Sequence, residues 1–314
     1  MKKPSISIGI IGFGNIGKKR YLALKKINKF HIKLKYIVDL NKPKNINKNI
    51  LVFNNWKDIM SIKVDLIIVS TPTKHSKIIV NKLCDKYNII VEKPLSNNLN
   101  EIKRLVEKAN RHKKLLKVGY NLRFDDGLLK TKSLLNKNLI GQIYYIKISY
   151  ANGAAKTNSN DVGSLLDMGT HSINLLIWLS EIDKYKVIKS ISQKNEFLNK
   201  TKTDNGFILL KAQNTHAFIH HGFCNWKNIF SLEIIGSKGL IKVDSLSKWK
   251  DEKITLGLRN FPDGKPKIKN WFFKKDNSWK NELLFVINQL SIKNNYNKIN
   301  KESIDTINII KKIN

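Results

Sequence analysis

Residues 89 to 96 of this 314-residue chain read IIVEKPLS, and the chemistry begins where the apolar run stops. A short β-branched run reads as a buried strand. Ending it on Glu92 and Lys93, with Pro94 limiting the backbone, sets a charged pair at the mouth of a sheet. A second cluster, GFGNIG, spaces Gly12, Gly14 and Gly17 for a tight turn, close approach to a pyrophosphate and tight helix-sheet contact. The following helix N-terminus would face the anion. The whole turn, Gly12, Phe13, Gly14, Asn15, Ile16 and Gly17, is therefore a candidate dinucleotide contact. Asp39 follows 22 residues after Gly17, where a second strand ends. A carboxylate there accepts hydrogen bonds from ribose hydroxyls and repels a 2′-phosphate, which favours NAD over NADP, although Lys42 pulls the other way. STPTKH, residues 70 to 75, closes a third strand and adds Thr71, Pro72 and His75, while His75 reads equally well as a solvated first-turn residue.

These residues need a scaffold, and the first 120 residues supply one. Short apolar runs at 6–11, 35–39, 65–70, 88–92 and 115–119 alternate with segments 15–28, 74–87 and 98–113, whose apolar residues recur at helical spacing opposite lysines. Strand-helix alternation predicts a parallel, doubly wound sheet, a Rossmann-type α/β domain. After residue 123 the pattern becomes a helix (124–137), a strand (142–150), a helix (164–179) and then strands at 186–194, 206–212, 215–223, 229–236 and 239–244. This predicts an α+β domain with an open-faced, largely antiparallel sheet. Helices are expected at 279–293 and 302–313, and surface loops at 41–49 and 293–301. The expected division is 1–123 and 124–314, with the C-terminal helix packing back on the first domain.

Composition narrows the function classes. Of 58 basic residues only five are Arg, and the lysines are scattered among Asn and Ile. Base readout and phosphate forks favour Arg, so the net charge of +34 reads as codon-driven composition and not as a nucleic-acid groove. No metal is expected, since Cys84 and Cys224 lie far apart with no ligand-spaced His. No run approaches the roughly 18 apolar residues of a membrane span, and no leader pattern precedes the first strand; a cytoplasmic protein is the expectation.

GFGNIG, STPTKH, VEKPLS, GYNLRF (119–124) and SLLDMGTH (164–171) together resemble the glucose-fructose oxidoreductase and inositol dehydrogenase family of NAD(P)-dependent sugar oxidoreductases, over nearly the whole chain. The resemblance implies a Rossmann domain followed by an open-faced sheet domain, with the Lys of EKP and the His of DxxxH beside the nicotinamide and the reacting carbon. It carries Lys93, Asp167 and His171 as catalytic candidates, with Asn121 and Arg123 near the substrate. It also implies a homodimer or homotetramer through the flat sheet face. Two departures, a loop at 151–164 without the usual Trp-Arg and double-Gly elements and Asn174 where many members carry Asp, bear on the substrate pocket. SLEIIGSKGLIKVD and DNSWKNELLF resemble members associated with surface-polysaccharide and nucleotide-sugar pathways, so the expected substrate is a sugar, an inositol or a nucleotide sugar. A non-catalytic NAD-binding regulator on the same scaffold is the alternative.

Residues 157 to 183 support the catalytic reading independently, because they contain no Lys or Arg. Within them Asp167, His171, Asn174 and Trp178 fall on one helical face. Oxidising a secondary alcohol needs a base for the hydroxyl proton. Histidine is mostly neutral at pH 7, whereas Lys would have to fall by about three pH units, about 4 kcal/mol, to serve equally. His171 as proton acceptor, Asp167 orienting it and Lys93 stabilising the substrate oxygen is the reading preferred here. The exchanged roles of Lys93 and His171 stay open.

Overall fold

A computed structural model describes residues 3–44, 46–153, 162–194, 203–262, 264–292 and 295–313. The chain divides into two compact units, residues 1–121 with 279–304, and 122–278 with 305–314. Much of the loop expected at 151–164 lies outside the described residues.

The first unit is built on six strands, β1 (Ser5–Ile11), β2 (His31–Val38), β3 (Leu51–Phe53), β4 (Leu66–Val69), β5 (Ile89–Glu92) and β6 (Leu116–Gly119), all parallel in the order β3-β2-β1-β4-β5-β6. Helices α1 (Asn15–Lys25), α2 (Thr73–Leu83) and α3 (Leu99–Arg111) connect them. The order reverses between β1 and β4, which opens a crevice at the carboxyl ends of those strands. Ile8, Ile10, Ile37, Leu66, Ile68 and Ile90 bury their side chains with Leu283, Val286 and Ile287 of α6 (Ser278–Ile292). An apolar run with helices on both faces has no polar face to alternate with, and that is why the strands read as continuous. The sequence missed β3, a three-residue edge strand too short to show a period.

Helix α7 (Asn297–Ile310) corrects the expectation of a surface loop at 293–301. Asn295 Oδ1 accepts the Asn297 N–H at 2.9 Å and opens the helix. Asn300 is fully buried: its Oδ1 accepts the Leu116 N–H at 2.7 Å and its Nδ2 donates to Asn110 Oδ1 and to the Lys114 carbonyl. An amide turned inward reads as polar surface in the sequence, so the helical period was hidden.

The second unit holds an eight-stranded sheet in the order β14-β13-β12-β11-β7-β10-β9-β8. Its strands are β7 (Ile143–Ala151), β8 (Lys186–Gln193), β9 (Asn205–Ala212), β10 (Thr215–Gly222), β11 (Ile229–Gly236), β12 (Gly239–Asp244), β13 (Glu252–Asn260) and β14 (Gly264–Phe273). All neighbours are antiparallel except β7 and β10. Ile146, Ile148, Ala217, Ile219, Leu232, Ile234, Ile241 and Val243 are buried. α4 (Asp126–Asn136) packs on β12 to β14, and α5 (Thr170–Ser180) packs on β7 and β10. The alternate residues leave Phe207 and Phe218 about half exposed on the other face. β13 and β14 were not anticipated. β14 is an exposed edge strand, GKPKIKNWFF, whose lysines mask its alternation.

Candidate functional site

In the first unit the glycine turn is shaped for close approach. Gly12 has φ of +88°, and a Cβ there would stand 2.7 Å from the Ser70 carbonyl carbon and 2.8 Å from the Thr71 nitrogen. Its N–H donates to the Val38 carbonyl at 2.8 Å, tying the end of β1 to the end of β2. A Cβ on Gly17 would run into the Gly12 carbonyl. Gly14, at the N-cap of α1, is different: a Cβ there would meet nothing within 4 Å. The turn therefore folds tightly against its own scaffold and opens outward at Gly14, where the α1 N-terminus can meet an anion. These residues fit a dinucleotide pyrophosphate.

Asp39 does more than the sequence foresaw. Its Oδ2 accepts the Phe13 N–H at 2.5 Å and its Oδ1 accepts the Asn41 N–H at 2.9 Å, so the carboxylate braces the turn beside it. The Phe13 side chain is buried, in edge contact with the Tyr21 ring at 5.6 Å, and Asn15 is exposed. Gly12, Gly14, Asp39, Thr71, Pro72 and His75 line one cavity of about 460 Å³, a volume suited to a nucleoside-sized group. Phe13, Asn15, Ile16 and Gly17 do not line it.

The turn after β4 is fastened internally and to the EKP segment. Ser76 Oγ donates to the Thr71 carbonyl at 2.7 Å, and Thr73 Oγ1 donates to the Pro94 carbonyl at 3.0 Å. The Lys93–Pro94 peptide bond is cis. Glu92 is held by a residue that no motif in the sequence marks. Arg20, fully buried on α1, donates from Nε at 2.8 Å and Nη2 at 2.6 Å to Glu92 Oε1. Its Nη1 donates to Glu282 Oε2 on α6 at 2.6 Å, and its guanidinium lies 4.6 Å from the Trp279 ring centroid. Burial and the Glu282 charge push the Glu92 carboxyl up, while Arg20 and Lys93 pull against them. The one available signal was the residue type: in a chain that decorates its surface with Lys, a buried Arg marks a site that needs its rigid fork.

In the second unit the expected straight helix over 164–179 is interrupted. Leu165–Gly169 form a π-helical turn, and α5 begins only at Thr170. Such wide turns concentrate at functional sites. Asp167 lies in this turn, its N–H donating to the Gly163 carbonyl at 3.1 Å, and His171 is in the first turn of α5. Both side chains are buried. A buried base supports the turn: His221 on β10 shares a 2.9 Å hydrogen bond with Ser164 Oγ and packs against Gly169. Burial, then the neighbouring His220, pulls His221 down to about 3, so it stays neutral.

Arg123 and Asn174 meet, with Arg123 Nη2 donating to the Asn174 carbonyl at 3.2 Å and the guanidinium 6.0 Å from the Trp178 ring centroid. The Asn174 amide is buried and donates to Thr306 Oγ1 at 3.0 Å. His171 meets the ring of Tyr150 edge-on at 5.9 Å, and the Tyr150 hydroxyl accepts a hydrogen bond from Lys248 at 2.8 Å. Neither Tyr150 nor Lys248 was singled out in the sequence, since one looks like a core aromatic and the other like one more surface lysine. Asn121 closes the first segment of the first unit. Among the described residues no cluster of His, Cys, Asp and Glu could hold a metal, and no helix is long and apolar enough to cross a membrane.

Comparison with known proteins gives two consecutive family matches. Residues 6–120 match an oxidoreductase family described as an NAD-binding Rossmann fold, and residues 132–306 match the C-terminal alpha/beta domain of the same family. An inositol 2-dehydrogenase/D-chiro-inositol 3-dehydrogenase of Shouchella clausii is 26% identical over 76% of this chain and 72% of its own. A myo-inositol 2-dehydrogenase of Thermotoga maritima is 24% identical over 76% and 75%. Among solved structures, the myo-inositol 2-dehydrogenase of Lactobacillus plantarum superposes with a TM-score of 0.79 at 20% identity, covering 99% of this chain and 96% of that one. A 3-ketoreductase from Actinomadura kijaniata in complex with NADP and TDP-benzene gives 0.79 at 15% identity, covering 98% and 96%. These two likenesses are of fold.

Proposed function

Because this chain belongs to the GFO/IDH/MocA oxidoreductase family, we propose that it transfers hydride between a nicotinamide dinucleotide and a secondary hydroxyl or keto carbon of a sugar, an inositol or a nucleotide sugar. The observation that carries this reading is the cradle at Gly12 and Gly14 with the Asp39 carboxylate on the same cavity wall. When bound, the nicotinamide ring accepts or returns the hydride. The chain's own residues supply the rest. Gly14 and the α1 N-terminus bind the pyrophosphate. Asp39 accepts from the adenosine ribose hydroxyls and disfavours a 2′-phosphate, which makes NAD the preferred dinucleotide.

His171 takes the hydroxyl proton, Asp167 orients it, and Lys93 hydrogen-bonds the substrate oxygen and stabilises its developing charge. The exchange of roles between Lys93 and His171 is the competing assignment. The dehydrogenase names of the relatives support the reaction class, and their inositol substrates support a polyol or sugar ring. The uncovered sheet face, with Phe207 and Phe218, supports a homo-oligomer of the second unit.

The test is a panel of inositols, sugars, sugar phosphates and nucleotide sugars with NAD and NADP, followed by absorbance of the reduced ring. Expected results are turnover with NAD, a loss of at least about 100-fold in kcat for His171→Ala, and a narrowed preference for NAD over NADP in Asp39→Ala. Full turnover by His171→Ala removes the proposed base. Dinucleotide binding without turnover on any member of the panel would favour the regulatory alternative.

A further inference from the structure

Lys130, Lys227 and Lys269 of the second unit each lie over a tryptophan ring, and Lys248 adds to such a contact a hydrogen bond to a buried tyrosine. Lys132 has Glu181, Lys147 has Glu233 and Lys242 has Asp244 within salt-bridge distance. Among the described residues Lys248 has no carboxylate within that distance. Its ammonium instead donates to Tyr150 Oη at 2.8 Å, off the hydroxyl end of that ring, and lies 4.7 Å from the Trp249 ring centroid. The turn that carries it is equally fixed. Ser247 Oγ donates to the buried carboxylate of Asp125, and the Trp249 and Lys250 N–H groups close the turn onto Leu246 and Ser247 at 2.9 Å each. Tyr150 is 4% exposed and cannot swing away, because its ring is packed edge-on between His171 at 5.9 Å and Phe230 at 5.8 Å.

Ordering a long lysine side chain costs conformational entropy, and a neutral phenol is a weak reason to hold a cation in place. The hydrogen bond to Tyr150 engages one of the three ammonium donors and leaves two. An ammonium hydrogen-bonded to a buried phenol and lying over one indole ring, on a rigid turn, one residue removed from His171, is preorganised for an anionic oxygen. We propose that Lys248 is the anion-recognising residue of the substrate site, so that the substrate is a sugar or cyclitol carrying a phosphate, pyrophosphate or carboxylate group. This rests on placing the reaction at His171, as above. Tyr150 acts as the positioning residue, its hydroxyl holding the ammonium while its ring meets His171.

The experiment is isothermal titration of the protein, with and without NADH, with myo-inositol, an inositol monophosphate, glucose, glucose 6-phosphate, glucuronate, UDP-glucose and inorganic phosphate. At least one acidic member should bind about tenfold or more tightly than its neutral parent. Which member does so tells a sugar phosphate from a nucleotide sugar or a uronate. Lys248→Met should abolish that advantage and leave neutral binding unchanged, Lys248→Arg should keep most of it, and Lys250→Met, on the same turn, should not alter it. Tyr150→Phe keeps the ring and removes the acceptor; an intermediate loss is expected, and it decides the matter should Lys248→Met fail to fold.

Equal affinity for acidic and neutral members overturns the proposal, as does an equal weakening by Lys248→Met and Lys250→Met, which would show only the general positive field. Loss of NADH binding strikes the dehydrogenase reading instead, because the titration without dinucleotide still reads Lys248.

Discussion

Replacing Glu252 by Gln should stabilise the protein at neutral pH. Glu252 begins β13 and is fully buried under the first turn of α4, where its carboxyl lies against the Cα of Gly127. The charged groups around it are Asp125 and Asp126, both acidic. Burial, the hydrogen bond to Asp125 and the two aspartate charges push the Glu252 carboxyl up to about 10. It is therefore neutral at pH 7 and donates to Asp125, which also accepts from Ser247 Oγ and from the Gly127 N–H at 3.1 Å as the α4 N-cap. In the unfolded chain the same group titrates near 4.5.

The native state thus holds this proton more tightly than the unfolded state. The contribution is full below pH 4.5 and is lost progressively as pH rises towards 10. At about 1.4 kcal/mol per pH unit, the 2.5 units between 4.5 and 7 amount to about 3 kcal/mol of lost stability. Glutamine keeps a donor for Asp125 and has no proton to lose. Allowing about 1 kcal/mol for the weaker neutral hydrogen bond, Glu252→Gln should gain about 2 kcal/mol at pH 7. Urea unfolding by tryptophan fluorescence from pH 5 to 9 measures this. The difference between variant and parent should grow by about 1.4 kcal/mol per pH unit. A variant less stable than its parent at pH 7, with an unchanged pH slope, would mean that Glu252 is ionised and compensated in the folded protein, and the reasoning would fail.

Arg20→Met removes the cation shared by Glu92 and Glu282, leaving Glu282 with Lys117 at 3.9 Å, and should cost about 3–5 kcal/mol, read as a lower urea midpoint. Arg20→Lys should recover less than half of that, because an ammonium cannot reproduce the fork across two carboxylates. Phe218→Asp on the open sheet face should shift the solution mass by light scattering from oligomer to monomer; a wild-type protein already monomeric at micromolar concentration would refute the assembly proposed for that face.

Both domain architectures were legible because their signals are local. GFGNIG and Asp39 each sit within a few residues of the strand end that positions them, and the runs from Ile6 to Gly119 read directly as a parallel sheet. Failures came where one residue's meaning depends on a distant partner. Arg20 and Glu282 are 262 positions apart, and nothing near either announces the other. Asn300 looks like loop and is core, because the groups that satisfy it lie 184 to 190 residues earlier. The π-helical turn at Leu165–Gly169 is invisible to a pattern search that assumes 3.6 residues per turn; the face drawn through Asp167, His171, Asn174 and Trp178 is therefore a face of α5 from His171 onward, with Asp167 set apart on the wider turn.

Charge is the property that the sequence most obscures here. A net charge of +34 spread over lysines makes every cation look interchangeable, and the structure separates them by their partners. Lys117 is fully buried with Glu302 at 2.9 Å, and Lys132 reaches Glu181 at the surface. Lys248 donates to the Tyr150 hydroxyl and lies over the Trp249 ring. An ammonium paired to a carboxylate is already neutralised and has little left to offer a ligand, whereas one ordered by a neutral hydroxyl and an indole ring keeps its charge available. In a lysine-rich chain a candidate binding cation is therefore found by asking what fixes it in place. By that criterion Lys248 is a stronger candidate than local charge density, which weights all such residues alike, would make it.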